Sequence, residues 1–229
     1  MTFRLHDHGV RVVLLDIEGT TTPMSFVYDV LFPYARERLS SYLRAHASED
    51  ELRDVLATLR VEWQEDARKG EQPPDWALAD IPAAARYLDW LMDRDRKSPS
   101  LKRIQGEIWK SGFDAGELRG QLFSDVAPAF ARWKHSGIDI SIYSSGSVLA
   151  QKLIFADVLP SIVAFFDTGV GAKRSMDSYR RIAHELRRPP EQILFVSDAP
   201  EELNAALDAG YQILLAVRPG NRPVEGPET

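Results

Sequence analysis

Short apolar runs rich in β-branched residues, each followed by turn residues, most constrain the fold of this 229-residue chain. Runs of this length and composition are typical of strands that are buried on both faces of a parallel sheet. Helical patterns lie between the later runs, and this alternation predicts an α/β sheet with right-handed crossovers. The predicted strands are 10–16, 138–143, 193–196 and 213–217, with a weaker candidate at 162–166.

The chain between the first and second predicted strands has a different pattern. Residues 23–123 contain no clear strand and several amphipathic stretches. A structureless loop of that length is improbable in a compact protein. We therefore predict a Rossmann-like α/β core formed by 1–22 and 124–229, interrupted by an all-helical cap domain at 23–123. The amphipathic stretches are 27–43, 49–64, 82–93 and 101–110, and the helices predicted within the core are 147–157, 178–186 and 201–209.

Composition excludes several classes of protein. The chain has no cysteine, which removes disulfides, thiolate zinc sites and a cysteine nucleophile. Its N-terminal segment is polar and its apolar runs are far too short for a membrane span, so we expect a cytoplasmic protein with no membrane partner. A formal net charge of −6 disfavours nucleic acid as a partner. The tail from Asn221 to Thr229 is rich in Pro, Gly and Glu and is predicted to be disordered.

Polar side chains follow the predicted strands where each strand ends. In open α/β sheets, ligands bind outside the carboxyl ends of the strands. Carboxylate oxygens there suit Mg²⁺, whereas a lysine and turn amides suit phosphate oxygens. A carboxylate that attacks phosphorus, forming an aspartyl-phosphate, is a known route for phosphate chemistry. The candidate residues are Asp16, Glu18, Ser144, Ser145 and Asp198 at strand ends, and Lys173 in the loop ahead of a helix.

Each candidate also has a simpler structural interpretation. An acid that closes a strand is more often a turn former or helix cap than a nucleophile. Serines in a Ser-Ser-Gly-Ser turn usually cap a helix, and a single lysine is usually a solvated surface residue. These interpretations lose weight because the candidates occur in order at successive strand ends, so that several independent coincidences would be needed.

The assembled residues resemble the haloacid dehalogenase superfamily of phosphohydrolases. Asp16-Ile17-Glu18-Gly19-Thr20-Thr21 is similar to its first motif, usually Asp-x-Asp-Gly-Thr, and the helical insert matches the position of its cap. Ser144 matches the hydroxyl of the second motif, Lys173 the cation of the third and Asp198 the metal ligand of the fourth. The departure is Glu18, and Asp-Ile-Glu-Gly-Thr-Thr resembles the enolase-phosphatases of methionine salvage.

Further stretches resemble that narrower family, from about residue 10 to residue 221. The cap stretch that contains Gln105-Gly106-Glu107-Ile108-Trp109 is similar to the family's Leu-Gln-Gly-x-x-Trp-x-x-Gly-Tyr, with Ile104 and Phe113 as departures. Other matches are Asp125-Val126, Phe166-Asp167-Thr168 with Ser178-Tyr179, Ser197-Asp198 through Glu202, and Val217-Arg218-Pro219-Gly220-Asn221.

The resemblance implies an activity and a role for each residue. The substrate would be 2,3-diketo-5-methylthiopentyl-1-phosphate, which is enolised and then dephosphorylated to 1,2-dihydroxy-3-keto-5-methylthiopentene. Asp16 would be the nucleophile, Glu18 the acid and base, and Lys173, Ser144 and the Ser145 amide the phosphate ligands. One Mg²⁺ would be held by Asp16, the carbonyl of residue 18 and Asp198, with Glu202 supporting these ligands from behind. In the cap, Gln105 and Trp109 would contact the methylthio end of the substrate, although Trp109 packing between cap helices explains that residue equally well.

The sequence also allows other functions. A general phosphatase of the same superfamily acting on a sugar phosphate shares the nucleophile, the cation and the metal carboxylate. A dehalogenase needs neither Glu18 nor the carboxylate of Asp198, and a non-catalytic binding module would not need all these groups together. The resemblance suggests a monomer, and the base for enolisation is not identified.

Overall fold

The computed structural model describes residues 5–76 and 80–221, and its centre is a five-stranded parallel sheet. The spatial order is β3-β2-β1-β4-β5, so that the first strand in sequence lies in the middle. All four strand pairs are parallel, as the alternation of apolar runs and helices predicts. The strands are β1 (Val12–Leu15), β2 (Asp139–Tyr143), β3 (Ala164–Phe166), β4 (Ile193–Ser197) and β5 (Gln212–Leu215).

The register brings the carboxyl ends of the three central strands together. Leu15, the last residue of β1, lies opposite Ile142 of β2 and Val196 of β4. All four residues of β1 are buried, because strands cover both of its edges, and Val12 and Leu14 share a core cluster with residues of the α-helices before and after β4 in the chain. The residues that follow β1, β2 and β4 therefore emerge at one edge of the sheet.

Burial on both faces was the expectation for every strand, and it is wrong for the two edge strands: two of the three residues of β3 are only partly buried, and β5 is more exposed still. Leu214 is 44% exposed and Leu215 is 37% exposed. The reason is position, since β5 is an edge strand and pairs only with β4. The apolar pattern alone does not distinguish an edge strand from a central one.

Helices occupy the predicted segments with shifted ends, and one helix, α5, was not predicted. The 147–157 prediction divides into α6 and a following 3₁₀ segment, Ala156–Ser161, which contains Pro160. The α-helices are α1 (Phe32–Ala45), α2 (Asp50–Arg68), α3 (Ile81–Asp93), α4 (Pro99–Asp114), α5 (Val126–His135), α6 (Val148–Ile154), α7 (Met176–Leu186) and α8 (Pro200–Asp208). Shorter segments are 3₁₀ turns at Leu5–His8 and Pro190–Gln192 and a π-helical turn at Phe26–Leu31.

The chain divides into two compact units. One, the sheet unit, contains the residues up to Tyr28 and those from Arg119 onward, and the other, the helical unit, is Asp29–Leu118. These bounds lie within six residues of the predicted insert. The sheet unit holds all five strands, and the helical unit holds α1–α4.

The helical unit buries a carboxylate of its own. Asp66 on α2 is 3% exposed, and it accepts hydrogen bonds from the Tyr87 hydroxyl at 2.7 Å and from Arg96 at 2.6 Å. The ring of Tyr87 stacks on Trp90 with a centroid distance of 5.6 Å. We call Asp66, Tyr87 and Arg96 the Asp66 cluster. Its bonds join α2, α3 and the segment between α3 and α4.

Two further sequence predictions concern a membrane span and the C-terminal tail. Within the described ranges, no helix has the length and apolar character that a membrane crossing requires. Most of the tail predicted to be disordered, residues 222–229, lies outside the described residues.

Candidate active site

Asp16 follows β1 directly and lies at the carboxyl edge of the sheet. It is 4% exposed, and its backbone N–H donates to the carbonyl of Val196 at 3.0 Å, which continues the pairing of β1 with β4. Its carboxylate accepts a hydrogen bond from Lys173 Nζ to Oδ1 at 2.5 Å. Its other oxygen, Oδ2, lies 3.3 Å from Ser197 Oγ. The β1 strand therefore holds a buried carboxylate that contacts a cation and a hydroxyl.

The loop after Asp16 is a tight turn around one carbonyl. The N–H groups of Thr20, Thr21 and Thr22 all point to the carbonyl of Ile17, at 2.9–3.1 Å. Gly19 adopts φ +70°, and a Cβ at this position would collide with the Asp198 carboxylate. Glycine at position 19 therefore permits both the turn and the close approach of Asp198.

Lys173 connects two carboxylates. Its side chain is 9% exposed, and Nζ lies 2.5 Å from Asp16 Oδ1 and 2.6 Å from Glu202 Oε2. Burial by itself lowers the pKa of Lys173, but the negative charges of Asp16, Glu202 and Glu18 outweigh it and hold that pKa above its ordinary value. The lysine is therefore a fixed cation at neutral pH, and the interpretation of it as a solvated surface residue is wrong.

Ser197 and Glu202 complete a buried network beneath Asp16. The hydroxyl of Ser197 lies 3.3 Å from Asp16 Oδ2 and 3.2 Å from Glu202 Oε2, and it accepts the N–H of Ala199 at 3.1 Å. Burial, followed by the charge of Asp16, raises the pKa of Glu202. Glu202 thus contacts the lysine and the serine that hold Asp16, and its role behind the metal ligands stays a prediction.

Glu18 lies next to the same charges. Its Oε2 accepts a hydrogen bond from Ser144 Oγ at 3.4 Å, which links the loop after β1 to the turn after β2. Burial and the neighbouring charge of Asp16 raise the pKa of Glu18, and Lys173 offsets part of this effect. A raised pKa keeps the proton on this carboxyl at higher pH than on an ordinary glutamate, which suits a proton donor.

Asp198 is a third carboxylate at this edge. Its backbone N–H donates to Thr20 Oγ1 at 3.1 Å, which ties the loop after β4 to the loop after β1. Burial and repulsion from Asp16 raise the pKa of Asp198 to about 6. The site therefore holds more negative than positive charge, because Lys173 is shared among Asp16, Glu18 and Glu202 and also faces Asp198.

The turn after β2 places Ser144 and Ser145 at the carboxyl edge of the sheet. Ser144 is 1% exposed, and its Oγ accepts the N–H of Gly146 at 3.1 Å. Ser145 is partly buried in the same turn. Ser147, rather than either of these serines, caps α6 by accepting the N–H of Ala150 at 3.3 Å. The hydroxyl of Ser144 is therefore not used as the helix cap.

Gln105 and Trp109, the two predicted cap residues, lie on α4 in the helical unit. Gln105 is 6% exposed and Trp109 is 7% exposed. The indole N–H of Trp109 donates to the carbonyl of Leu31 at 2.7 Å, and its ring lies 6.1 Å from that of Phe32. Trp109 thus packs within the helical unit, and contact of either residue with a substrate stays a prediction.

Two residues near the end of the described chain hold the first loop, and neither was among the predicted site residues. Arg218 Nε donates to the carbonyl of Thr20 at 3.0 Å, and its Nη1 donates to Asp125 at 2.9 Å. Asn221 Nδ2 donates to the carbonyl of Gly19 at 2.9 Å. Both residues lie in the stretch 217–221, which resembles the narrower family. The sequence alone does not show that they contact the loop after β1.

Comparison with known proteins identifies the family to which this chain belongs. Residues 10–210 match the model of the haloacid dehalogenase-like hydrolase family. The match covers most of the chain and four of the five strands, β1 to β4, and it ends just before β5 begins. The chain belongs to the haloacid dehalogenase-like hydrolases, which confirms the α/β fold predicted from the sequence.

More similar relatives narrow the comparison. A protein named Enolase-phosphatase E1 from Synechococcus elongatus is 49% identical over 95% of this chain and 92% of its own. Proteins of the same name from Drosophila mojavensis and Danio rerio are each 44% identical, covering 98% and 93% of this chain and 92% and 87% of theirs. Within the hydrolases, the chain is a member of the same family as these proteins.

Solved structures agree on the fold. The UTR4 protein of Saccharomyces cerevisiae matches with a TM-score of 0.78 and 29% identity over 96% of this chain and 95% of its own. CbbY from Rhodobacter sphaeroides, solved in complex with phosphate, has a TM-score of 0.55 at 19% identity, over 90% of this chain and 85% of its own. The second likeness concerns the fold alone.

Proposed function

We propose that this chain is a Mg²⁺-dependent enolase-phosphatase. It converts 2,3-diketo-5-methylthiopentyl-1-phosphate to 1,2-dihydroxy-3-keto-5-methylthiopentene in methionine salvage, by enolisation followed by dephosphorylation. The observation that carries the proposal is the buried Asp16 carboxylate at the end of β1, 2.5 Å from Lys173, with Glu18 two residues along the chain. Relatives named Enolase-phosphatase E1 at 44–49% identity support the choice of substrate.

Asp16 acts as the nucleophile. One of its carboxylate oxygens attacks phosphorus, and the bond between phosphorus and the ester oxygen breaks. Lys173 lies against Asp16 and carries its charge at neutral pH, so that it stabilises the phosphoryl oxygens during transfer. Ser144 and the Ser145 amide provide hydrogen bonds to the remaining phosphoryl oxygens.

Glu18 moves the protons. Its raised pKa supports a protonated carboxyl that donates its proton to the leaving oxygen. The resulting carboxylate then takes a proton from the water that attacks the phosphorus of the aspartyl-phosphate, which releases inorganic phosphate and restores Asp16. Compared with aspartate, the glutamate places its carboxyl one methylene further from the backbone, and we propose that this reach also serves the enolising carbon.

The donor set fits Mg²⁺. Among residues 5–76 and 80–221, no group of three or more His, Cys, Asp or Glu side chains is placed to hold a metal ion. Mg²⁺ in phosphate sites uses one or two carboxylates, with water and substrate oxygens in the other positions. Asp16 and Asp198 supply two carboxylates, burial and repulsion from Asp16 raise the pKa of Asp198, and the carbonyl of Glu18 is the third proposed ligand. When bound, Mg²⁺ offsets negative charge on the transferring phosphoryl group and on an enolate oxygen.

The helical unit is proposed as the cap, with Gln105 and Trp109 contributing to recognition of the methylthio end. Aromatic faces accept thioethers well, and both residues lie on α4. We further propose a monomeric protein in the cytoplasm, acting on a small phosphate ester without nucleic acid or membrane partners.

The test is a coupled assay with the diketo-phosphate ester as substrate. Phosphate release and ultraviolet absorbance of the enol product are followed together, before EDTA, after EDTA and after added Mg²⁺. We expect both signals, their loss in EDTA and their return with Mg²⁺. A matched assay with a sugar phosphate separates the alternative: faster release from the sugar phosphate, without an enol signal, would contradict the proposed substrate.

A further inference from the structure

The backbone that carries Lys173 is held by side chains at every step. The carbonyls of four consecutive residues, 170–173, each accept a hydrogen bond from a side chain, and we call these four bonds the carbonyl frame. The bonds run from Arg181 Nη1 to Val170 at 2.6 Å, from the Tyr143 hydroxyl to Gly171 at 3.0 Å, from Ser178 Oγ to Ala172 at 2.8 Å, and from the Tyr179 hydroxyl to Lys173 at 2.7 Å.

Two elements of the fold supply these donors. Ser178, Tyr179 and Arg181 lie in the first two turns of α7, and Tyr143 is the last residue of β2. Loop carbonyls in most proteins face water, so that loops adapt their shape easily. The frame removes this freedom from residues 170–173 and ties them to the sheet and to a helix.

A glycine makes the frame possible. Gly171 has φ +134°, a conformation that side chains disfavour, and a Cβ there would collide with Ser178 Oγ. The serine hydroxyl would then lose its place beside the carbonyl of Ala172. The Gly171-Ala172-Lys173 sequence is therefore matched to the donors on α7.

The two tyrosines of the frame belong to a buried stack. Tyr179 packs edge to face against Tyr143, Tyr211 and Phe195, with ring centroids 5.2–5.6 Å apart. Tyr143 and Tyr179 are fully buried and Tyr211 is 2% exposed. The hydroxyl of Tyr211 donates to the carbonyl of Tyr179 at 2.8 Å, a bond to the helix backbone outside the frame. The stack thus contains three tyrosine hydroxyls. Those of Tyr143 and Tyr179 belong to the carbonyl frame, whereas that of Tyr211 bonds to the backbone of α7.

We infer that Tyr179 and Tyr143 are positioning residues for phosphoryl transfer, acting through Lys173. Their hydroxyls fix the backbone at residues 173 and 171, and this places Nζ between Asp16 and Glu202. A lysine side chain has four flexible bonds, so its charge is held accurately only when its backbone is held as well. The inference rests on the proposed function, because it requires that the charge of Lys173 stabilises the transferring phosphoryl group.

The test compares three variants that each remove one hydroxyl and keep the ring: Tyr179→Phe, Tyr143→Phe and the control Tyr211→Phe. We expect kcat for p-nitrophenyl phosphate with Mg²⁺ to fall about 10-fold in the first and about 3-fold in the second, with less than a 2-fold change in the control. KM should change less than kcat in the first two, since the lysine contributes most as charge develops in the transition state. Melting temperatures of the three variants should fall by similar amounts, because each loses one buried hydrogen bond.

Three outcomes overturn the inference. These are equal kcat values for Tyr179→Phe and Tyr211→Phe, losses of kcat that follow melting temperature across the three variants, and a loss confined to KM. If Tyr179→Phe does not fold, Ser178→Ala takes its place, with an expected loss of a few-fold in kcat and the same control. A wild-type protein that releases no phosphate from the diketo-phosphate ester would contradict the proposed function, whereas an active wild type with three equivalent variants would contradict only this inference.

Discussion

Each unit of this protein buries a carboxylate against a cation, but the two sites differ in their charge balance. In the helical unit, Asp66 has two strong donors, Tyr87 and Arg96, and so its carboxylate is fully satisfied. In the sheet unit, Lys173 is shared by Asp16 and Glu202, with Glu18 also close. The comparison separates a charge-balanced pair from a cluster with an excess of buried carboxylates, and we propose that this excess serves a metal and proton transfer.

The largest expected effect is in the sheet unit. Asp16→Asn keeps the size of the side chain and removes the nucleophile, so that kcat for phosphate release should fall by at least about 10³-fold. The same change relieves repulsion on Glu18, Asp198 and Glu202, whose pKa values Asp16 raises. Metal-free Asp16→Asn should therefore unfold at an equal or higher temperature than wild type. Retained turnover, or a clear loss of stability with lost activity, would contradict the difference between the two units.

In the helical unit, we expect loss of the buried carboxylate to lower stability and to leave activity nearly unchanged. Asp66→Ala leaves the Tyr87 hydroxyl and Arg96 without their main acceptor, and the free energy of unfolding should fall by about 2 kcal/mol. The kcat of the folded variant should stay within about 2-fold of wild type, since the residue lies outside the proposed chemistry. Chemical denaturation measures the first quantity and initial rates measure the second.

Glu71→Ala is the matched control for this prediction. Glu71 is the more exposed partner of Arg96, at 3.9 Å, and its loss should change the unfolding free energy by less than about 0.5 kcal/mol. If Glu71→Ala and Asp66→Ala have equal effects, then the burial of Asp66 does not set its contribution to stability.

A smaller and more selective effect is expected for Glu18→Asp. The shorter side chain should leave phosphate release from p-nitrophenyl phosphate within a few-fold of wild type, because an acid remains near the leaving oxygen. The enol signal from the diketo-phosphate ester should fall by about 10-fold or more if the longer reach serves the enolising carbon. Loss of both activities in parallel would show that the extra methylene has no separate role.

The smallest effect is a pH dependence of stability. The pKa of Asp198 is raised to about 6 in the folded protein, so that the folded state binds more protons than the unfolded state between about pH 4 and 6. The stability of metal-free wild type should fall relative to Asp198→Asn as the pH rises through this window. Because the carboxyl is only partly buried, the difference should be about 1 kcal/mol.

Added Mg²⁺ should reverse this difference in wild type and leave Asp198→Asn unaffected. Urea denaturation at pH 4 and pH 7, with and without Mg²⁺, tests both expectations. If the stability difference between wild type and Asp198→Asn grows as the pH falls, or does not change when Mg²⁺ is added, the site does not hold an excess of negative charge.

Much of the sheet unit follows from local sequence. The apolar runs at β1, β2 and β4 end in Asp16, Ser144 and Asp198, and parallel strands necessarily bring such ends to one edge. Lys173 is different, because its loop position is compatible with a surface residue. Its contact with Asp16 depends on how β2 and α7 hold residues 170–173.

Other features could not be predicted because they depend on long-range contacts. Ser197, at the end of β4, looks like any strand residue until Asp16 and Glu202 lie on either side of it. The bonds from Arg218 and Asn221 to the first loop span about two hundred positions, and no local pattern encodes such a distance. The exposure of β5 likewise depends on which strand lies at the edge.

Detection of a covalent intermediate is the decisive test of Asp16 as the nucleophile. The protein is mixed with the diketo-phosphate ester and Mg²⁺, quenched in acid on the millisecond scale, digested and analysed by mass spectrometry. We predict a transient phosphoryl group on Asp16, lost on treatment with hydroxylamine and absent from Asp16→Asn. Release of phosphate with no protein-bound phosphoryl group at any time, or a phosphoryl group on another residue, would contradict the account.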